Sequence, residues 1–226
     1  MNVTRYFFIT GTDTNIGKTL ASCALLQAAI RVGHRAVGYK PVASGSEVTS
    51  NGIRNADALA LMDTSNVAVE YDQVSPFSFV ESTAPHIASD DNGSCIDVHT
   101  LSTGLRSLGV LADWVIVEGA GGWFTPLGQD TLYSDWVIAE RLPVILVVGI
   151  KLGCINHTLL TEVVIRQSGL FLAGWIANHP EMSTHRSQDY IQEIASRLHS
   201  PLLGIIPWFS ELKQAPLSHC INLSLL

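Results

Sequence analysis

Six apolar runs rich in β-branched and aromatic residues punctuate the chain, at 6–10, 36–39, 114–117, 144–149, 172–177 and 203–206. Between them lie stretches whose apolar positions recur every three or four residues, at 18–32, 56–62, 98–111, 134–141, 155–167 and 184–198. The first pattern belongs to buried strands, the second to helices with one apolar face. Their alternation predicts an α/β fold in three layers: a mostly parallel sheet with helices on both faces. The run Val144-Ile145-Leu146-Val147-Val148 has no polar break, as befits a central strand buried on both sides. Asp97 is placed to cap the helix that starts at Val98, and Gly33 to end the first helix. Segments 45–55 and 82–94 read as polar, turn-rich loops. No repeat, low-complexity tract or linker divides the chain, so residues 1–226 are expected to form one domain.

Composition narrows the partners. With 47% hydrophobic and 15% charged residues, 226 residues can bury a full core. A formal net charge of −7 speaks against a broad nucleic-acid surface, which needs clustered Lys and Arg. There is no basic-then-apolar leader, and no apolar run approaches the roughly 18 residues of a membrane span. The expectation is a cytoplasmic protein that binds neither membrane nor nucleic acid. Cys23, Cys95, Cys154 and Cys220 are scattered, without a Cys-x-x-Cys pair, and read as reduced thiols. The eight histidines show no ligand spacing, so no zinc site is expected.

The densest chemical signal follows the first strand, in Gly11-Thr12-Asp13-Thr14-Asn15-Ile16-Gly17-Lys18-Thr19. An apolar run ends in a glycine turn, and Gly17-Lys18-Thr19 opens an amphipathic helix. In that order, backbone N–H groups wrap around phosphates while a helix N-terminus faces them. Lys18 would neutralise phosphate charge, and the Thr19 hydroxyl would hold magnesium. The strict motif places a glycine where this chain has Thr12. Gly11 sits one residue earlier, which makes this a variant P-loop, P-loop NTPase-like in its setting.

Ligands of such sheets bind beyond the carboxyl ends of the strands, which singles out the residues there. Pro41 holds Lys40 in an extended backbone. Lys40 is either a second cation for transferring phosphoryl oxygens or an anionic substrate, or a surface lysine beside a turn. Asn55-Ala56-Asp57 is either an N-cap with a first-turn acid or the bearer of a carboxylate near magnesium. Glu118, at the tip of a buried strand and followed by Gly119-Ala120-Gly121-Gly122, is placed like a Walker B carboxylate. The alternative is a strand-end glutamate facing solvent. Gly153-Cys154-Ile155-Asn156 opens a helix with no acidic residue in its first turn. That start either receives an anion such as a carboxylate or is an ordinary cap with Asn156 nearby. Cys154 and His157 do not make a nucleophile pair. Asn178 is placed to hydrogen-bond a base edge, and Pro207-Trp208-Phe209 to border the base with apolar surface.

These motifs, with Gly38-Tyr39-Lys40-Pro41-Val42-Ala43-Ser44-Gly45 and Lys151-Leu152-Gly153-Cys154-Ile155-Asn156-His157, closely resemble the dethiobiotin synthetases along nearly the whole chain. These are ATP-dependent cyclo-ligases of biotin biosynthesis. The resemblance implies that 7,8-diaminononanoate, carbon dioxide (or bicarbonate) and ATP give dethiobiotin, ADP and phosphate, through a carbamate and a mixed carbamic-phosphoric anhydride. It implies Lys18, Lys40 and Thr14 as catalytic groups, and Thr19, Asp57 and Glu118 as ligands of Mg²⁺. Asn15, Ile16, Gly17, Lys18, Thr19 and Leu20 would hold phosphates, with Asp57, Glu118, Gly119, Ala120 and Gly121 beside them. Asn178, His179, Pro207, Trp208, Phe209 and Gln214 would surround adenine. Ser44 would line the carbamate end of the substrate. Family members are homodimers with the substrate site at the subunit interface. By that likeness Gly153, Cys154, Ile155, Asn156 and Tyr190 would bind the substrate's carboxylate tail across it. Two positions depart from the family pattern: Asn15 stands where glutamate is usual, and His179 where an acid is.

A partition-type nucleotide switch is the chief rival, since it shares variant P-loops. That class commonly carries a lysine early in the loop, which Gly11-Thr12-Asp13-Thr14 lacks, and a basic face or membrane-targeting helix, which this acidic chain does not offer. A catalytically inert paralogue is the third reading. The set Lys18, Thr19, Lys40, Asp57 and Glu118 argues against it.

Overall fold

The computed structural model describes residues 4–209 and 217–226. Six strands, β1 (Arg5–Gly11), β2 (Ala36–Tyr39), β3 (Trp114–Gly122), β4 (Val144–Gly149), β5 (Leu172–Asn178) and β6 (Leu202–Ile206), form one sheet in the order β6-β5-β4-β1-β3-β2. Every neighbouring pair is parallel. The chain builds one side of β1 first and then crosses to the other. The strand ends next to β1 therefore form the crevice where such sheets take ligands.

Helices α1 (Lys18–Arg31), α2 (Ala56–Thr64), α3 (Val98–Leu111), α4 (Tyr133–Ala139), α5 (Cys154–Gln167) and α6 (Ser187–Arg197) cover the sheet. Side chains alternate across each strand, so successive residues join opposite layers. Phe7, Ile9, Trp114 and Ile116 pack beneath α1 with Leu217 and Ile221. Phe8, Val115 and Val117 face the other way, onto Leu101, Leu105 and Leu108 of α3 and Trp136 of α4. Leu146, Val148, Trp175 and Ala177 meet Cys154 of α5 and Ile191 and Ile194 of α6. The predicted three-layer α/β architecture is thus the one observed. Among the described residues, no helix is long and apolar enough to cross a membrane.

The differences lie in short elements. β3 runs to Gly122 instead of stopping at residue 117, because pairing with β1 resumes at Gly11 opposite Gly122 after a register shift beyond Glu118. Segment 45–55 contains an antiparallel ribbon, Glu47–Thr49 with Gly52–Arg54. Segment 82–94, expected to be loop, carries a helix at Pro85–Asp91 with proline in its first turn. A parallel pair, Val42–Ala43 with Phe77–Ser78, and a single helical turn at Tyr71–Val74 were not predicted. Elements this short span too few residues to show a period. Asp97 does cap α3, accepting from His99 N and Thr100 N at 3.1 Å each. Asn55 likewise caps α2, accepting from Asp57 N at 3.0 Å and Ala58 N at 3.3 Å.

Candidate active site

At the carboxyl edge of the sheet, the ends of β3 and β5 and the segments after β1, β2 and β6 converge on a cleft of about 470 Å³. The phosphate-loop segment is pinned at both ends. Thr12 N donates to the Val147 carbonyl at 3.1 Å, and Ile16 is buried, its Cγ2 lying 2.7 Å from where a Cβ on Gly149 would stand. Between these anchors the chain turns through two left-handed residues, Asn15 (φ 57°) and Gly17 (φ 87°). Asparagine is one of the few non-glycine residues that enter this region readily, which gives Asn15 a local reason of its own. Helix α1 then begins with no side-chain cap and no acid in its first turn. The N–H groups of Lys18, Thr19 and Leu20, all on the cleft wall, thus have no intrahelical acceptor. Ile16 does not itself line the cleft.

Behind the loop lies a buried charge cluster drawn from four elements. Glu118 on β3 is 0% exposed; its Oε1 accepts from Thr19 Oγ1 at 2.8 Å and from Lys40 Nζ at 2.6 Å. Lys40 Nζ also donates to Asp57 Oδ2 at 2.9 Å and to the Gly119 carbonyl at 3.3 Å. Burial opposes the charge on Lys40, but Glu118 and Asp57 outweigh it and hold the ammonium's pKa above its ordinary value. Burial likewise opposes charge on Asp57, and the Lys40 ammonium outweighs it, keeping that carboxyl ionised below its usual range. Asp57 is therefore the first-turn acid of α2 and at the same time a partner of the Lys40 ammonium. Lys40 is no surface lysine, and Glu118 does not face solvent.

Lys18 sits at the mouth of this cluster, its Nζ donating to the Asp13 carbonyl at 3.0 Å. Burial, with the neighbouring Lys40 charge, pulls its pKa down to about 8. The Asp13 carboxylate in turn pairs with Lys151 at 3.0 Å, and that bond holds it below the usual range.

Thr14, Ser44, Ala120 and Gly121 line the same cleft, as do Asn178, His179, Trp208 and Phe209 on its other flank. Burial lowers the His179 pKa, favouring the neutral ring, whose Nδ1 lies 3.1 Å from Ser183 Oγ. Pro207 precedes Trp208 at the end of β6, and Gln214 lies outside the described residues. Ser82 and Pro180 also line the cleft and were missed, since a serine in a polar turn and a lone proline carry no motif.

Gly153, Cys154, Ile155, Asn156 and Tyr190 do not line this cleft. Gly153 (φ 94°) begins α5 with no side-chain cap, and Asn156 is exposed and caps nothing. Cys154 is buried, which pushes its thiol pKa up and suits no nucleophile. Tyr190, on α6, packs with Ile155 against the same core.

The oxygens of Thr19, Asp57 and Glu118 suit a hard divalent cation such as Mg²⁺. One observation favours that fit: Glu118 Oε2 is buried with no hydrogen-bond partner among the described residues.

A glycine-turn loop opening onto an uncapped helix, backed by a strand-end carboxylate and two lysines, defines a P-loop nucleotide-binding protein. A family model described as an AAA domain matches residues 5–216. The fold is shared with the MinD cell division protein of Aquifex aeolicus (TM-score 0.55, 14% identity, 92% of this chain and 84% of that one). It is shared equally with a ParA family ATPase of Chlorobium tepidum TLS (TM-score 0.55, 16% identity, 97% and 96%). Sequence separates the rivals that share it. The chain is 58% identical over 222 residues to the ATP-dependent dethiobiotin synthetase BioD of Baumannia cicadellinicola subsp. Homalodisca coagulata, covering 98% of this chain and 99% of the relative. It is 53% identical over 225 residues to BioD 1 of Escherichia coli K12, covering 99% and 100%. The chain belongs to the ATP-dependent dethiobiotin synthetase family, ligases of biotin biosynthesis.

Lys40→Met would leave Glu118 buried without its counter-charge. The variant is expected to lose about 3–5 kcal/mol of stability in urea unfolding; an unchanged midpoint would mean that the Glu118 charge is balanced by other groups.

Proposed function

We propose that the chain forms dethiobiotin from 7,8-diaminononanoate, carbon dioxide and ATP, with residues 1–226 acting as one domain. The observation that carries this reading is that two ammonium groups, Lys18 and Lys40, border one cleft beside the phosphate loop. Joining a carbamate to a phosphoryl group brings two anions together, so the work is mainly positioning and charge stabilisation.

In the proposed sequence, a substrate amine adds to carbon dioxide and loses a proton, giving a carbamate. A carbamate oxygen attacks the γ-phosphorus and ADP leaves. The neighbouring amine then attacks the carbamoyl carbon and loses a proton, and the C–O bond to phosphate breaks, so that phosphate departs as the five-membered ureido ring closes. Lys18 and the N–H groups of Asn15–Leu20 hold phosphate oxygens. Lys40 moves its charge onto the carbamate and the transferring phosphoryl group, with Thr14 and Ser44 orienting the carbamate end. Thr19, Asp57 and Glu118 would hold Mg²⁺, which when bound neutralises phosphate charge. Gly119, Ala120 and Gly121 let the backbone approach the nucleotide closely. Asn178, His179, Pro207, Trp208, Phe209 and Gln214 border the base.

The substrate's carboxylate tail is assigned to a second copy. Asn156, Leu160 and Val163 recur at helical spacing along α5, with Leu152 in the turn just before it, and the three apolar residues are 86% (Leu152), 60% (Leu160) and 37% (Val163) exposed. An apolar stripe running from an uncapped helix start supports a homodimer in which Gly153–Asn156 and Tyr190 complete the partner's site.

Pure protein with ATP, Mg²⁺, bicarbonate and the diamine is expected to yield dethiobiotin by mass spectrometry; ATP turnover without that product would overturn the proposal. Leu160→Asp is expected to sediment as a monomer and lose affinity for the diamine. A wild-type monomer would remove the shared site. Phosphate oxygens stabilise the charged form of Lys18, so its pKa must be higher in the ATP complex than the value of about 8 in the free protein. ATP affinity is therefore expected to be level below that pH and to fall up to about tenfold per unit above it. Calorimetry giving a flat affinity between about pH 7 and 9.5 would place Lys18 outside the phosphate site.

A further inference from the structure

We propose that Asp13 and Lys151 are positioning residues for Lys18: their ion pair sets the peptide plane that aims the Lys18 ammonium into the cleft. The inference rests on the phosphate-binding reading of that loop and extends it.

Asp13 meets three groups at once. Its Oδ2 accepts from Lys151 Nζ at 3.0 Å, its Oδ1 from Thr14 N at 2.8 Å, and its carbonyl from Lys18 Nζ at 3.0 Å. The last two contacts belong to one peptide unit, the one joining Asp13 to Thr14. In a trans peptide the C=O and the N–H point to opposite sides, and the described residues contain no cis bond. Gripping the N–H with the carboxylate therefore fixes where the carbonyl points, and the carbonyl is the partner of Lys18. An ammonium has three donors. One goes to Asp13, and the others remain for anions in the cleft that Lys18 lines.

The carboxylate needs an anchor outside its own turn, or it would simply move with that turn. Lys151 supplies one from the loop after β4, which is itself held on the sheet. Ile150, just before it, is buried, and its N–H donates to the Asn178 carbonyl at 2.8 Å. The Lys151 carbonyl accepts from Cys154 N at 3.0 Å. The Lys151 and Asp13 side chains are 41% and 44% exposed, so the pair adds little to stability. Its effect is on orientation. Asparagine could not replace the acid, because Thr14 N and Lys151 Nζ are both donors and an amide has only one accepting end.

Calorimetric titration of inorganic tripolyphosphate into the full chain, without diamine, tests this apart from the ligase reaction. It is done near pH 7, where Lys18, with a pKa of about 8, is charged. Failure of Lys18→Met to weaken the probe would refute the phosphate-binding reading itself; the other variants address only the positioning. Asp13→Asn removes a negative charge beside the phosphate loop, so charge alone would tighten an anion. Positioning predicts the opposite sign, a loss of about threefold or more. Lys151→Met is expected to lose as much, whereas Lys151→Arg, which keeps the ion pair, stays within about twofold of the wild type. With Asp13 already replaced by asparagine, Lys151→Met is expected to add less than about twofold. Tighter or unchanged binding in Asp13→Asn would overturn the proposal. So would equal losses from Lys151→Met in both backgrounds, which would make Lys151 a direct phosphate ligand. Should Asp13→Asn not fold, Lys151 still decides: equal losses in Lys151→Met and Lys151→Arg would overturn the proposal too.

Discussion

A carboxylate with no solvent exposure needs a counter-charge, and at Glu118 that need organises the whole site. An unpaired buried charge would cost several kcal/mol. The neighbours that relieve it come from two other elements, Lys40 after β2 and Thr19 in the first turn of α1, while Asp57 in the first turn of α2 shares the Lys40 ammonium. β3 lies between β1 and β2 in the sheet, so Glu118 is central to both contributing loops. The same cluster balances charge in the free protein and presents oxygens where a divalent cation would sit. Stability and chemistry draw on one set of atoms.

The phosphate loop shows the complementary constraint, that of an N-terminus left open. Neither α1 nor α5 carries a side-chain cap or a first-turn acid, and both begin after a left-handed glycine, Gly17 and Gly153. By contrast α2 and α3 are capped by Asn55 and Asp97. The two open helix starts follow adjacent strands, β1 and β4, and the Lys151–Asp13 ion pair ties their loops together. Withholding caps leaves unsatisfied N–H groups for anions, and the sheet supplies the rigidity that makes such ends tolerable.

The solved structures that share this fold include a cell division protein and a ParA family ATPase, so the fold states a class and not an activity. Under the ligase reading proposed above, the distinguishing group at the cleft is the second lysine. Lys40 is buried between two carboxylates yet borders the cleft, a position from which its charge can be transferred to an anionic ligand.

Much of this was legible in the chain itself. The six strands and six main helices follow from apolar runs and three-to-four-residue periodicity, because burial on a sheet dictates both. The loop glycines, Lys18 and Thr19 announce a phosphate site because only a small set of residues permits that backbone. The sequence could not decide between the two readings of Lys40, Asp57 and Glu118, since each question turned on neighbours 17 to 99 residues away in the chain. The ribbon at Glu47–Arg54, the helix at Pro85–Asp91 and the cleft position of Ser82 likewise depend on contacts with no local period. Residue types and their order determined the layers, the caps and the kind of ligand. Only tertiary packing decided which charges meet, because electrostatic pairing depends on distance through space and burial, neither of which is written in adjacent residues.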